Sequence, residues 1–161
     1  MKHTALAGLV TFGLLISSAH AQEPQALGTF GKWTAYVLKG SKGSECYIAS
    51  KPIETSPKNV KRDPVHFLIT HRSMVNTIIG YNFKKNSTAG LAIDSVKFEM
   101  ITDKDGAWLD TSAKDRQAVV AMKKGNKMVV RGTSWRGTKT VDTYSLNGVT
   151  AALKKITSTC K

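Results

Sequence analysis

The side chains that could do chemistry in this chain are few, and their spacing brings few of them together. Past the leader described below, the histidines are His66 and His71. They stand five apart in an apolar, β-favouring stretch, VHFLITH, and should point to opposite faces of a strand. One metal ion would not readily take both, and singly packed or exposed imidazoles are the commoner outcome. TDKDG resembles part of a calcium loop, but Ile101 occupies its first ligand position. Ser112 falls where the closing glutamate should stand, so the stretch reads as a turn. Asp94, Glu99 and Asp110 are scattered, with no spacing that pairs two carboxylates for acid/base work. No G-x-S-x-G, H-E-x-x-H or P-loop occurs. RGTSWRGTKT carries two glycines and several donors that could cradle a phosphate, although hairpin turns need glycine for ordinary reasons. The residues argue against an enzyme and call for no cofactor or metal.

Two other sets remain. The first is a pair of thiols, Cys46 and Cys160. The second mixes cations with an aromatic near a turn: Arg131, Trp135, Arg136 and Lys139, with Lys123, Lys124 and Lys127 just upstream. Guanidinium, ammonium and indole together suit anionic headgroups or sugars, through charge and stacking. The competing reading makes Trp135 a core residue and the cations guards of an edge strand.

The leader tells which compartment these groups meet. MKHTALAGLVTFGLLISSAHA has a positive start at Lys2 and an apolar run through Leu6, Val10, Phe12, Leu14, Leu15 and Ile16. Ala19-His20-Ala21 completes the layout of a secretory signal peptide, so residues 1–21 are expected to be removed and the mature chain to begin at Gln22. The run is short for a bilayer span, and no later stretch approaches that length. Residues 22–161 are then long enough for a single domain with its own core. Export places both cysteines in an oxidising space, where a bonded pair is favoured over free thiols, and a Cys46–Cys160 clamp is the expectation.

Charge is uneven as well as high. The chain carries a formal +13. From Lys114 to Lys161 there are eleven Lys and Arg against two acids, Asp115 and Asp142, whereas residues 22–113 hold twelve against nine. A basic excess concentrates anionic partners, a statement about association and not about fold. For an exported protein those partners are anionic lipid, lipopolysaccharide, other surface polymers or acidic host glycans. Nucleic acid is not expected there. The same charge also serves plain solubility. An alternative mode is a protein partner in the envelope or on a host cell, met through an apolar patch around Trp33, Trp108 or Trp135.

The elements that must position these residues follow from periodicity. Gln22–Gly28 reads as a loose polar arm. FGKWTAYVLK alternates, with Trp33, Ala35 and Val37 on one face, and SECYIAS returns across Gly40–Gly43 as its hairpin partner. Lys51–Pro64, with its prolines and cations, is a loop or an edge excursion. VHFLITH, NTIIGYNF and IDSVKFEMIT follow as strands, then AWLD. TSAKDRQAVVAMKKGN changes period: Thr111 or Ser112 caps a helix that ends at Lys123, Lys124 and Gly125. KMVVRGTSW and GTKTVDTYSL are two more strands. Asn147 is the expected cap of a last helix whose Val149, Leu153, Ile156 and Cys160 make one stripe. About seven strands and two short late helices, without βαβ alternation, give a mainly β fold: an antiparallel sandwich or half-open barrel with two short helices in the C-terminal part.

FGKWTAYV with Cys46 in the next strand, RDPVHFLITHR, DGAWLD, and VVAMKKGNKMVVRGTSWRGTKTVDTYSLNGVTAALKKI before a terminal cysteine together resemble the invasion-associated locus B family. The likeness covers nearly all of residues 22–161. It implies an exported protein of a Gram-negative envelope, periplasmic or associated with the outer membrane, with no catalytic residues to carry over. The founding member is associated with entry of a pathogen into host cells. The chain departs from the family pattern at Lys32, where an acid is usual between Gly and Trp, and it lacks the mid-chain cysteine pair of better-known members.

Overall fold

A computed structural model describes residues 23–41 and 43–160. The leader, residues 1–21, lies outside the described residues.

The first alternating stretch is a strand for the reason its pattern gives. In β2 (Trp33–Gly40), Trp33, Ala35 and Val37 are buried while Thr34 and Tyr36 stay half-exposed on the other face. It pairs antiparallel with β3 (Gly43–Ser50), which sets Val37 opposite Cys46 and Tyr36 opposite Tyr47. Those two tyrosines stack with centroids 5.2 Å apart. Eleven strands form among the described residues, four more than periodicity suggests, and every pairing is antiparallel. Beyond β2 and β3 they are β1 (Gln25–Phe30), β4 (Glu54–Ser56), β5 (His66–Thr70), β6 (Val75–Ile78), β7 (Ala89–Ile93), β8 (Val96–Asp103), β9 (Gly106–Trp108), β10 (Lys127–Thr133) and β11 (Lys139–Ser145). Their order in the sheet is β1-β2-β3-β5-β6-β9-β8-β7-β10-β11-β4.

The departures from the sequence reading have local causes. The expected arm at Gln22–Gly28 is largely β1, paired to β2 with a register shift between Ala26 and Gly28. The strand expected from Ile93 onward is cut at Asp94, whose φ of 47° turns the chain and leaves Ile93 opposite Val96. The residues before the cut, Ala89 to Ile93, form β7 because β8 and β10 flank it on both sides. The proline-rich stretch does make an edge excursion, the three-residue β4, bracketed by Pro52 and Pro57. Finally, Asn147 does not cap the last helix. That position falls to Gly148, with φ of 94° and no side-chain cap. A Cβ there would lie 1.9 Å from the Phe30 carbonyl oxygen, so the close crossing admits glycine alone.

The sheet curls until its two halves face each other. Trp33 of β2 meets Phe67 of β5 edge-on at 6.2 Å, and Phe67 meets Tyr144 of β11 at 5.7 Å. The Trp33 indole N–H also donates to the Ser145 carbonyl at 3.0 Å. One buried apolar cluster runs through both halves, the half-open arrangement that alternation implied.

Two helices cover what remains. α1 (Ser112–Lys124) starts at Thr111, whose hydroxyl accepts from the Lys114 N–H, and ends as the Gly125 N–H bonds the Ala121 carbonyl. It buries Asp115, Ala118, Val119 and Met122. α2 (Val149–Thr159) buries Val149, Ala152, Leu153 and Ile156 against β1, β2 and β3. Cys160 follows directly and is bonded to Cys46, with Cα atoms 5.9 Å apart across 114 positions of sequence. The stripe carries the thiol inward, and β3 presents its partner.

Candidate functional site

The turn between β10 and β11 builds the most exposed aromatic of the described residues. The Gly137 N–H closes it onto the Ser134 carbonyl at 2.8 Å, with Gly137 at φ 86°. Ser134 Oγ accepts from the Thr138 N–H, and the Trp135 N–H ties the corner to Asn82. Trp135 and Arg136 therefore occupy the two corner positions of a braced turn and project outward. Trp135 is 62% exposed. The Arg136 guanidinium lies over its ring, 4.8 Å from the centroid. The core reading of Trp135 is thereby excluded.

Beside this turn opens a cleft of about 750 Å³ whose walls include Lys61, Arg62, Asp63, Tyr81, Trp135 and Arg136. Its far wall, a segment without regular structure, is set by an ion pair. Arg62 Nη1 donates to Asp142 Oδ2 at 2.8 Å, and Nη2 donates to Oδ1. Nη1 also reaches the Ile79 carbonyl at 3.3 Å. Asp142 is fully buried and the Arg62 side chain nearly so. Burial opposes the guanidinium's charge, but Asp142 more than offsets it and leaves the Arg62 pKa raised. The wall is pressed close, because a Cβ at Gly80 would lie 2.1 Å from the Asp63 carbonyl oxygen. Tyr81 shares a 2.6 Å hydrogen bond with Thr140, and burial raises its phenol pKa. Tyr144, deeper still, has its ionisation pushed far up by burial, with Thr77 opposing, and its hydroxyl makes no hydrogen bond of regular geometry among the described residues.

The seven residues singled out for an anionic partner do not form one site. Trp135 and Arg136 sit at the mouth of the cleft. Lys139 begins β11, opposite Thr133, and Arg131 lies further down β10 on the exposed side, opposite Val141. Lys127 opens β10, four residues before Arg131, and Lys123 and Lys124 end α1. Since β10 spans roughly 20 Å at about 3.3 Å per residue, the lysines of α1 and Lys127 belong to its other end. All seven are exposed. Lys61, Arg62 and Tyr81 escaped the sequence reading. The signal for Arg62 was Asp142 itself, an acid at an inward position between Thr140 and Tyr144, which a fold must pair.

The histidines stay apart. His71 Nδ1 lies 3.3 Å from the Cys46 backbone and 3.5 Å from Glu45, whereas His66 lines a different surface groove with Lys51. Among the described residues no group of three or more His, Cys, Asp or Glu converges, and no helix is long and apolar enough to cross a membrane.

Fold and site together define a disulfide-clamped antiparallel β protein that presents a cationic, aromatic edge. The chain belongs to the Invasion associated locus B (IalB) protein family, whose model matches residues 33–157. Among solved structures it is similar to invasion associated protein B from Bartonella henselae, with 15% sequence identity and a TM-score of 0.56. The match covers 84% of this chain and 97% of that one, a likeness of fold. No curated protein matches the chain.

Proposed function

We propose that this is an exported, non-catalytic envelope protein, periplasmic or at the outer membrane, that binds an anionic surface partner such as lipopolysaccharide, anionic lipid or an acidic glycan. The observation that carries this reading is the Trp135–Arg136 pair, an indole and a guanidinium stacked and exposed at the mouth of a cleft. Lys61 adds a second cation to the walls, with Asp63 as the opposing acid. Stacking holds a sugar ring or headgroup while charge selects the anion. Family membership and the leader layout support the envelope location.

The test is vesicle binding at low and high salt, with lipopolysaccharide-containing and neutral vesicles. The expected result is binding to the anionic vesicles alone, weakened by salt, and lost when Trp135 and Arg136 are both changed to Ala. Equal binding to neutral vesicles, or no effect of the double change, would reject this site.

A second reading has its own observation. Cross-strand pairing puts Ile101 of β8 beside Trp108 of β9 on the outer face, exposed by 45% and 37%, with Ile78 exposed nearby on β6. That patch suits a protein partner. Trp33 takes no part in it, being fully buried. Trp108→Ser should abolish capture of such a partner and leave vesicle binding untouched.

A further inference from the structure

A second concavity, away from the Trp135 cleft, has a different chemistry. It runs between α1 and β8, about 1000 Å³ in volume. Its floor is apolar: Val96, Phe98, Val120 and Ala121. Val96 and Val120 are 45% and 51% exposed, so two large aliphatic side chains from different elements share one open groove. Helical spacing explains the arrangement. Ala118, Val119 and Met122 point α1 into the core, while Ala113, Gln117, Val120 and Lys124 form a second stripe at i, i+4, i+7 and i+11 that lines the groove. Gln117 and Lys124 give that stripe the polar character of an ordinary solvent face, and Val120 is the large apolar side chain it leaves exposed over the groove.

The rim is cationic. Lys97 stands on the β8 side, with Lys114, Arg116 and Lys124 along α1, and Glu99 is the acid among the lining residues. Asp110 engages Lys114 at 2.8 Å; no ion pair holds Lys97, Arg116 or Lys124 among the described residues. An apolar trough edged with unpaired cations is complementary to a molecule that is apolar along its length and anionic at its end. A second copy of this chain fits poorly, since its own rim would bring like charges together. An amphipathic helix fits poorly too, because it needs successive anchor pockets and this floor offers four side chains. From Ala113 to Lys124 the groove follows α1 for about 17 Å at 1.5 Å per residue, the scale of an extended acyl chain.

We propose that the α1–β8 groove seats the acyl chain of one anionic membrane lipid, with its headgroup phosphate on the lysine and arginine rim. This site is independent of Trp135 and Arg136. Binding here depends on the tail, whereas binding at the Trp135 cleft depends on the headgroup alone.

The experiment uses protein beginning at Gln22 and monomeric palmitoyl lysophosphatidylglycerol, titrated by calorimetry, with glycerol 3-phosphate as the tailless probe and palmitoyl lysophosphatidylcholine as the zwitterionic control of zero net charge. In the Trp135→Ala/Arg136→Ala protein, where the cleft no longer contributes, the groove predicts that lysophosphatidylglycerol binds, lysophosphatidylcholine binds more weakly and glycerol 3-phosphate does not bind. Val120→Glu places a carboxylate against the tail and should weaken lysophosphatidylglycerol about tenfold or more. Val96→Ser, a milder change in another element, should weaken it in the same direction, so misfolding of one variant cannot account for both. The unsubstituted protein should show the same tail-dependent binding, with any binding of glycerol 3-phosphate that it gains assigned to the Trp135 cleft. Equal binding of the tailless probe to the Trp135→Ala/Arg136→Ala protein, or full affinity in both groove variants, would overturn the proposal. So would a lipid-free dimer that Val120→Glu dissolves, which would assign the face to self-association.

Discussion

α2 and the segment around Arg62 are both fastened onto the curled sheet, and they are fastened in opposite ways. α2 is held by a stripe of buried aliphatic side chains and by the Cys46–Cys160 bond. The Arg62 segment has no regular structure of its own, and is held by a buried ion pair and a few backbone contacts such as Asp63 N–H to Gly80. The first attachment acts largely through the unfolded chain, whose freedom a long covalent loop removes. The second acts in the folded state, where its strength depends on both charges being present together. It is also the one that shapes the cleft beside Trp135. A covalent clamp secures the fold, while the cleft wall depends on a polar interaction that one substitution can undo.

Breaking the clamp should have the largest effect. Reduction, or Cys160→Ser, is expected to lower the unfolding free energy by about 4–5 kcal/mol, the chain-entropy value for so long a loop. Denaturant titration with and without reductant reads it, and an unchanged midpoint would show that the aliphatic stripe suffices. Next comes the ion pair. Arg62→Ala leaves Asp142 buried without a partner and should cost about 3–5 kcal/mol. Arg62→Met combined with Asp142→Leu removes both charges and should restore most of that loss. A double variant as unstable as the single one would mean that the pair contributes more than charge compensation.

Asp115 sharpens the contrast, because it docks a helix through a single polar contact. Its Oδ1 accepts from the Val75 N–H at 3.0 Å. Burial raises its carboxyl above the usual aspartate range, with the Val75 bond and Arg116 opposing. A raised folded pKa means the fold binds the proton more tightly. The group's contribution is therefore complete below the unfolded pKa and is lost as pH climbs through the folded one. Asp115→Asn keeps an acceptor without the charge and should flatten that acidic slope, whereas Asp115→Ala orphans the Val75 N–H at a cost of about 1–3 kcal/mol. The smallest effect belongs to His66, whose pKa is lowered by burial and then by Lys51. Its contribution is present above about pH 6.5 and is lost as pH falls through the depressed folded value. His66→Gln should remove a shallow dependence seen in thermal melts between neutral and mildly acidic pH.

Where alternation was strong, the sequence was legible. β2, β3, β5, β10 and β11 lie where period-two patterns put them, and the α2 stripe ends at Cys160 as helical spacing requires. β1, β7 and β9 were not legible, because their own residues do not define them, and β4 was legible only as one of two alternatives, a loop or an edge excursion. β7 is Ala-Gly-Leu-Ala-Ile, strand by virtue of two neighbours, and β4 is three residues between prolines. At the site, the Trp135–Arg136 turn was visible as a cluster of cations and an aromatic. The cleft's other wall was not, since Arg62 stands among Lys58, Lys61 and Asp63 in a stretch without period and finds its partner 80 residues away. A long-range pair between a loop and an inward strand position leaves no local pattern.

The margins of the sheet carry one more consequence. Its two outermost strands, β1 and β4, each interrupt the regular ladder, one by the irregularity at Ala26/Gly28 and the other by its brevity between Pro52 and Pro57. Neither offers the long run of free main-chain donors and acceptors that another polypeptide needs in order to join by strand addition. An eleven-stranded open sheet is thereby kept from templating its own polymer. Any partner must be told apart by what the side chains present, and an extended peptide of arbitrary sequence finds no edge to extend.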